Sequence, residues 1–154
     1  MDIIFDIDGT LMNRDHRLHF LEKKRKDWHS FMSKIDDDTP YQDMQNLLFS
    51  IYSDDNNRVI FCSGRTDKYR EVTLKQLSGL LKLSETPVSI QKKIVLYMRA
   101  EGDRRQDDLV KSDLLDKIRI DGFDPVIAFD DRDKVVKMWR ERGLRCLQVD
   151  RGDF

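Results

Sequence analysis

The sequence predicts an α/β domain: a Rossmann-like three-layer sandwich with a mainly parallel five-stranded sheet and a small helical cap inserted after the first strand. Four of the five strand candidates are short apolar runs without polar alternation, as is typical of parallel strands covered on both faces, and the fifth, 144–149, includes Arg145 and Gln148. Helical periodicity fills the intervals between the strand candidates, which predicts right-handed strand–helix–strand connections. At 154 residues the chain fits one domain, so we assign 1–154 to a single unit with the cap within about 12–55.

The element boundaries follow from apolar spacing and from turn residues. The strand candidates are 3–5, 59–62, 94–98, 126–129 and 144–149. The helix candidates are 18–35, 41–53, 67–83, 109–118 and a fifth that follows residue 132 and ends at Gly143. Thr39 is expected to cap the second helix with Pro40 in its first position, and Asp67 to cap the third. Pro87 lies in the connector after the third helix.

Composition limits the classes of function. Charged residues make up 37% of the chain, but the signs nearly cancel and the formal net charge is −1. Generic polyanion binders are usually strongly basic, so that class is excluded and any nucleic-acid contact must be local. Cys62 and Cys146 lie in strand candidates, which predicts two buried, reduced thiols in a cytoplasmic protein. No apolar run approaches the roughly 18 residues of a membrane span, so no membrane partner is expected, and the oligomeric state stays open.

The first strand candidate ends in the motif Asp6-Ile7-Asp8-Gly9-Thr10. In open parallel sheets, ligands bind beyond the carboxyl ends of the strands, so Asp6 and Asp8 are expected at a binding site. Two like charges this close are costly unless a cation joins them, and carboxylate oxygens suit Mg²⁺. Taken alone, the motif also fits an acidic strand-to-helix turn without chemistry.

Two further strand candidates also end in polar residues, at Ser63-Gly64-Arg65 and at Asp130-Asp131. Lys111 follows a charged loop, 99–108, near the start of a helix candidate. Because parallel strands end at the same edge of a sheet, we expect these side chains to gather around Asp6. Together they supply the acids, the cation and the hydroxyl that phosphate chemistry needs, whereas each alone fits a turn, an N-cap or a surface lysine.

In this order the four motifs resemble those of the haloacid dehalogenase-like (HAD) phosphohydrolases. The resemblance implies that Asp6 is the nucleophile and forms an aspartyl-phosphate, while Asp8 protonates the leaving oxygen and then activates water. Ser63 and Lys111 are expected to bind the phosphoryl oxygens. The implied Mg²⁺ ligands are Asp6, the main-chain carbonyl of Asp8, and Asp130, with Asp131 at or beside the metal.

A closer resemblance covers nearly the whole chain. It is carried by Ser63-Gly64-Arg65, Gly102-Asp103 to Lys111, Asp130-Asp131-Arg132 with Val135-Val136-x-Met138-Trp139-Arg140, and Gln148-Val149-x-x-Gly152-Asp153-Phe154. These residues are similar to the 3′-phosphatase domain of phage-type polynucleotide kinase–phosphatases, which implies that Arg17, Arg65 and Asp107 bind the substrate. The Gly-x-x-x-x-Gly-Lys-Ser/Thr loop of a kinase does not occur in the 154 residues, and segment 16–38 departs from the family pattern.

The sequence therefore predicts a stand-alone, Mg²⁺-dependent polynucleotide 3′-phosphatase that acts on 3′-phosphate ends of DNA or RNA in end repair. One alternative is a HAD phosphatase for nucleotides or other small phosphomonoesters, with the same catalytic residues. Another is a non-catalytic protein that binds nucleic-acid ends, against which the pair Asp6/Asp8 and Lys111 argue.

Segment 18–35 has two features with two interpretations each. The block Glu22-Lys23-Lys24-Arg25-Lys26 is predicted to form a solvated helix face, and the alternative is a basic patch that steers a phosphate-rich substrate. Trp28 is predicted to anchor the core, and the alternative is a base-stacking platform.

Overall fold

A computed structural model of the chain describes residues 1–85 and 93–152. The strands are β1 (Asp2–Phe5), β2 (Met12–Asn13), β3 (Thr39–Pro40), β4 (Arg58–Thr66), β5 (Val95–Arg99), β6 (Pro125–Asp130) and β7 (Arg145–Gln148). The helices are α1 (Asp15–Leu18), α2 (Trp28–Ser33), α3 (Gln42–Ser53), α4 (Arg70–Leu80), α5 (Asp107–Ile120) and α6 (Asp133–Glu141). Among the helices of the described residues, none is long and apolar enough to cross a membrane.

The predicted α/β fold is confirmed. The main sheet has five strands in the order β5-β4-β1-β6-β7, and each neighbouring pair is parallel. Strands β2 and β3 form a separate antiparallel ribbon. Side chains of β1 alternate between two cores: Ile3 packs with Leu48 of α3, whereas Ile4 packs with Leu115 of α5 and Trp139 of α6. Each fully buried aliphatic side chain adds roughly 1.5–3 kcal/mol to the free energy of unfolding. Because the β1 side chains alternate, they hold the sheet to the helix layers on both of its faces.

The connectivity places a crevice at the end of β1. From β1 the chain continues to β4 and β5 on one side of the sheet, and then crosses to β6 and β7 on the other. Strand β1 is therefore the topological switch point, where open α/β sheets bind ligands. Phe5 is in register with both Phe61 of β4 and Phe129 of β6, so the residues that follow these three positions meet at one edge.

The predicted helix over 18–35 is wrong. The structure has the short α1, a turn-rich stretch that contains the basic block, the short α2, and a 3₁₀ turn at Ile35–Asp37. In a continued helix Lys23 and Lys26 would be like-charged neighbours three residues apart, which disfavours that helix slightly. Asp27 then starts α2 anew, because its side chain accepts a hydrogen bond from the Ser30 main-chain N–H at 3.0 Å.

Both predicted N-caps are also wrong. Thr39 and Pro40 pair with Met12 and Asn13 in the ribbon, so α3 begins only at Gln42. Asp67 starts a 3₁₀ turn and accepts a hydrogen bond from the main-chain N–H of Glu101, which directs its side chain away from α4. Pro87 and residues 153–154 lie outside the described residues. Both cysteines are buried and free, as predicted.

Candidate active site

Three acids meet at the edge of the sheet. One side-chain oxygen each of Asp6, Asp130 and Asp131 lies within 4.8 Å of the others, and all three residues are buried. Burial raises the pKa of Asp6 well above its ordinary value, and the nearby Asp130 and Asp131 raise it further. Burial likewise raises the pKa of Asp131 to about 6. A buried set of hard oxygen donors could hold a metal ion, which would remove this mutual repulsion.

Lys111 neutralises part of this cluster from α5. Its Nζ lies 2.6 Å from Asp6 Oδ1 and 2.8 Å from Asp130 Oδ2, and its side chain is fully buried. Burial would lower the pKa of Lys111, but Asp130 and Asp6 outweigh that effect and raise it. The other oxygen of Asp6 accepts a hydrogen bond from the Thr10 hydroxyl at 2.9 Å. Asp6 is therefore held in one orientation from both sides.

Asp8 faces a different environment, although it is only two residues from Asp6. Arg65 binds it with two hydrogen bonds of 2.8 Å, and Arg17 adds one of 2.5 Å. Burial would raise the pKa of Asp8, but Arg65 and Arg17 outweigh it and hold this pKa well below its usual range. Pairs of carboxyl groups with opposite pKa shifts are typical of acid–base sites.

Behind Asp8, a second buried acid organises both arginines. Asp38 accepts hydrogen bonds from Arg17 Nε at 2.7 Å and Arg17 Nη2 at 2.6 Å, and from Arg65 Nη2 at 3.3 Å. The guanidinium of Arg17 also lies 4.1 Å from the centroid of the Phe31 ring. From the sequence we assign no role to Asp38, which ends a run of three aspartates. In the structure the first two members of that run are exposed and Asp38 is buried. The sequence has no signal that separates the third acid from the others.

Asp107 lies at the start of α5 among cations. It contacts Arg99 at 3.1 Å, Lys111 at 3.7 Å and Arg132 at 3.8 Å. Gly64 permits this position, because a Cβ there would lie only 2.1 Å from Asp107 Oδ1. The side chain of Asp107 therefore holds cationic groups in place around the site.

Ser63 and Arg14 complete the surroundings. Ser63 is fully buried near the end of β4, and its hydroxyl accepts a hydrogen bond from the Arg65 main-chain N–H at 3.2 Å. Arg14 donates a hydrogen bond to Asp131 at 2.9 Å. Gly9 has a positive φ of 88°, and a Cβ at this position would lie 2.2 Å from Asp131 Oδ2. A larger residue there would displace the acid cluster.

The carboxylates open into a small cavity of about 110 Å³. Asp6, Asp8, Lys111, Asp131 and Arg65 line its floor, together with other residues. Trp28 and Met32 of α2 lie at its wall. The prediction that Trp28 anchors the core is wrong, because the residue is 51% exposed. Arg17 is fully buried instead, and its guanidinium packs over the Phe31 ring.

Solved HAD-type hydrolases and phosphatases share this fold. A haloacid dehalogenase-like family hydrolase from Streptococcus pneumoniae has a TM-score of 0.63 and 14% identity, over 96% of this chain and 83% of that one. The class C acid phosphatase from Bacillus anthracis has a TM-score of 0.57 and 13% identity, over 99% of this chain and 67% of that one. At these identities the likeness concerns the fold.

The chain belongs to the family described as polynucleotide kinase PNKP phosphatase domain, which matches residues 1–154. A solved chain from the Pnkp1/Rnl/Hen1 complex is 28% identical to it, with a TM-score of 0.72. The match covers 99% of the present chain and 46% of that chain, so the present chain spans less than half the length of this relative. The family predicted from the motifs is thereby confirmed.

Proposed function

We propose that this chain hydrolyses 3′-phosphate ends of DNA or RNA in a Mg²⁺-dependent reaction, through an aspartyl-phosphate on Asp6. The observation that carries the proposal is the buried contact of Asp6 with Lys111 on the floor of a phosphate-sized cavity lined by Arg65. Family membership supports a polynucleotide substrate.

Asp6 is the proposed nucleophile because its orientation is set by Lys111 and Thr10. One Asp6 oxygen forms a bond to phosphorus while the bond from phosphorus to the 3′ oxygen breaks. Lys111 offsets the negative charge that would otherwise repel the incoming phosphate, and it stabilises the charge on the transferred group. Ser63 is proposed to donate to an oxygen of the same group.

Asp8 is the proposed acid and base. It gives its proton to the leaving 3′ oxygen, then takes a proton from the water that attacks phosphorus and releases phosphate from Asp6. In the free site Arg17 and Arg65 keep Asp8 ionised. Arg65 lines the cavity, so a bound phosphate offers it another anion. Its hold on Asp8 then weakens, and Asp8 can take up a proton when substrate is present.

The donor set fits Mg²⁺. Asp6, Asp130 and Asp131 supply hard oxygens close together, and the main-chain carbonyl of Asp8 is the proposed further ligand. When bound, the ion would neutralise the carboxylates and polarise the phosphoryl group. Lys111 and Trp139 prepare the site, because both donate hydrogen bonds to Asp130 Oδ2 and fix its orientation.

The test is phosphate release from a 3′-phosphorylated oligonucleotide. The wild-type protein with Mg²⁺ should turn over, chelation should stop the reaction, and added Mg²⁺ should restore it. Asp6→Asn should lose at least about 10⁴-fold in kcat, because the change removes the nucleophilic oxygen while nearly keeping the shape. Asp43→Asn, at an exposed position of α3, is the matched control and should behave as wild type. Near-wild-type rates for a folded Asp6→Asn protein would exclude Asp6 as the nucleophile.

A further inference from the structure

The catalytic cavity is too small for more than the terminal phosphate. Its volume of about 110 Å³ lies below the roughly 300–1,000 Å³ of pockets that enclose small molecules. A second groove of about 760 Å³ adjoins it. Both are lined by Trp28, Met32, Gly64, Arg99, Asp107 and Arg132. A substrate whose phosphate reaches Asp6 must therefore place its remaining atoms in or beside this groove.

Trp28 presents a fixed aromatic surface where the cavity meets the groove. The residue is 51% exposed, and its ring packs edge-on against Phe31 at 5.8 Å between centroids. Phe31 is itself buried and packs against Arg17. Asp27 caps α2 and so fixes the start of the helix that carries Trp28. An aromatic ring held in this way is suited to stack on a planar group with little loss of side-chain entropy.

The groove is cationic although the whole chain is nearly neutral. Its lining includes six basic and three acidic residues: Lys26, Arg99, Arg104, Arg105, Arg132 and Lys134 against Asp103, Asp107 and Asp108. Two of the acids are already paired, Asp103 with Arg105 and Asp107 with Arg99. Lys26 and Arg104 lie in two separate loops and Lys134 lies in α6, so the groove has basic residues from three parts of the chain. Such an arrangement follows a phosphodiester backbone better than it fits a single small anion.

We infer that this groove is a subsite for the single strand behind the 3′-phosphate, with one base stacked on Trp28 and its phosphodiesters beside Lys26, Arg104 and Lys134. The inference rests on the proposed function and adds to it the form of the substrate. Base stacking on an aromatic side chain tolerates any sequence, because every base has a π face. The subsite therefore selects an unpaired strand and not a particular sequence.

The kinetic test compares a 3′-phosphorylated oligothymidylate with glycerol 2-phosphate, a small ester that has neither a planar group to stack on Trp28 nor a phosphodiester. Trp28→Ala should lower kcat/KM for the oligonucleotide about 5- to 150-fold more than for the small ester. Trp28→Phe should restore most of the difference, since a phenyl ring also stacks. Ile120→Ala is the control for loss of an apolar surface group, because Ile120 of α5 is 84% exposed. This variant should leave kcat/KM unchanged for both substrates.

The binding test uses the same oligothymidylate without its phosphate, so it does not depend on turnover. Its addition should quench the fluorescence of Trp28. Trp139 is fully buried, so its fluorescence should change little on binding. Lys134→Ala should weaken binding and reduce the slope of log affinity against log salt by about 1. Lys137→Ala is the matched control, because this residue lies on the same helix but pairs with Glu141.

The outcomes separate the two proposals. The subsite is refuted if Trp28→Ala lowers kcat/KM equally for both substrates. It is also refuted if the oligothymidylate does not quench Trp28 fluorescence and Lys134→Ala does not change the salt dependence of its binding. If wild type prefers 3′-phosphorylated oligonucleotides and Trp28→Ala leaves that preference unchanged, the subsite fails and the proposed function stands. If the unphosphorylated oligothymidylate binds as expected but no phosphate is released from the 3′-phosphorylated one, the proposed function fails.

Discussion

Replacing Asp38 by asparagine tests how the candidate site is held together. The substitution nearly keeps the shape of the side chain but removes the charge that faces Arg17 and Arg65. Asp38 is buried, and it accepts two hydrogen bonds from Arg17, at 2.7 and 2.6 Å. Asparagine has one acceptor oxygen, so one of these two bonds must be lost.

The expected magnitude follows from these contacts. A hydrogen bond to a charged group is worth about 1.5–3 kcal/mol, so Asp38→Asn should destabilise the protein by that amount. Asp38→Ala removes the partner altogether and leaves two buried guanidinium groups to share the carboxylate of Asp8, and breaking a buried pair in this way costs about 3–5 kcal/mol. We assign the lost bond the same free energy in the transition state, through a misplaced contact of Arg17 with Asp8. In that case kcat/KM should fall about 10- to 150-fold.

The assay combines urea unfolding with kcat/KM on a 3′-phosphorylated oligonucleotide. Asp37→Asn is the control, because Asp37 is the exposed neighbour in the same acidic run and should stay within about 0.5 kcal/mol of wild type. His16→Ala removes the half-exposed partner of Asp38 and should have a smaller effect than Asp38→Asn. An Asp38→Asn protein as stable and as active as Asp37→Asn would refute the buried network as the support of Asp8.

Three further outcomes follow from the site. The folded-state pKa of Asp131, about 6, exceeds its reference value of 3.8, so its stabilising contribution in metal-free protein is full below about pH 4 and is lost as the pH rises through about 6. Mg²⁺ is expected to take the place of that proton. At a fixed concentration, a hundred times the Kd at about pH 7.5, it should raise Tm by roughly 5–10 °C at that pH and much less at about pH 5, where its Kd is higher. Asp131→Asn should weaken the shift, and exposed Asp133→Asn should not. In Gly64→Ala the new Cβ would lie 2.1 Å from Asp107, so activity should drop about tenfold, whereas Gly79→Ala, with open space around it, should stabilise α4 by about 0.5–1 kcal/mol; equal activities of the two variants would contradict the close approach. Ca²⁺ should support turnover poorly, because its larger and looser coordination shell misplaces the reacting oxygens, and equal rates with Ca²⁺ and Mg²⁺ would exclude this reasoning.

Most of the fold was predictable because its signals are local. The strands β1, β4, β5 and β6 each contain an apolar run whose side chains enter the two cores, so the hydrophobic pattern locates these strands. Parallel strands end at one edge of a sheet, and this rule is sufficient to predict that Asp6, Asp130 and Asp131 lie close together. The roles of these residues in catalysis remain predictions.

The segment between β1 and α3 was not predictable in the same way. Apolar spacing assigned one helix to 18–35, but the most buried side chain near its start is that of Arg17, which spacing does not count. Its burial depends on Asp38, some twenty residues further on, and on Phe31. With Arg17 in the inner position, Trp28 lies at the surface beside the cavity. Long-range ion pairs of this kind leave no periodic pattern in a sequence.

The central claim is that the terminal 3′-phosphate of a polynucleotide is the group removed. The most direct test measures kcat/KM for two oligonucleotides of identical sequence, one phosphorylated at its 3′ end and the other at its 5′ end, together with a 3′-mononucleotide. The 3′-phosphorylated oligonucleotide should exceed both others by about ten- to a hundred-fold, since a single charge-assisted contact to a second phosphate is worth that much. Equal values for all three substrates would contradict the claim and leave a general phosphatase.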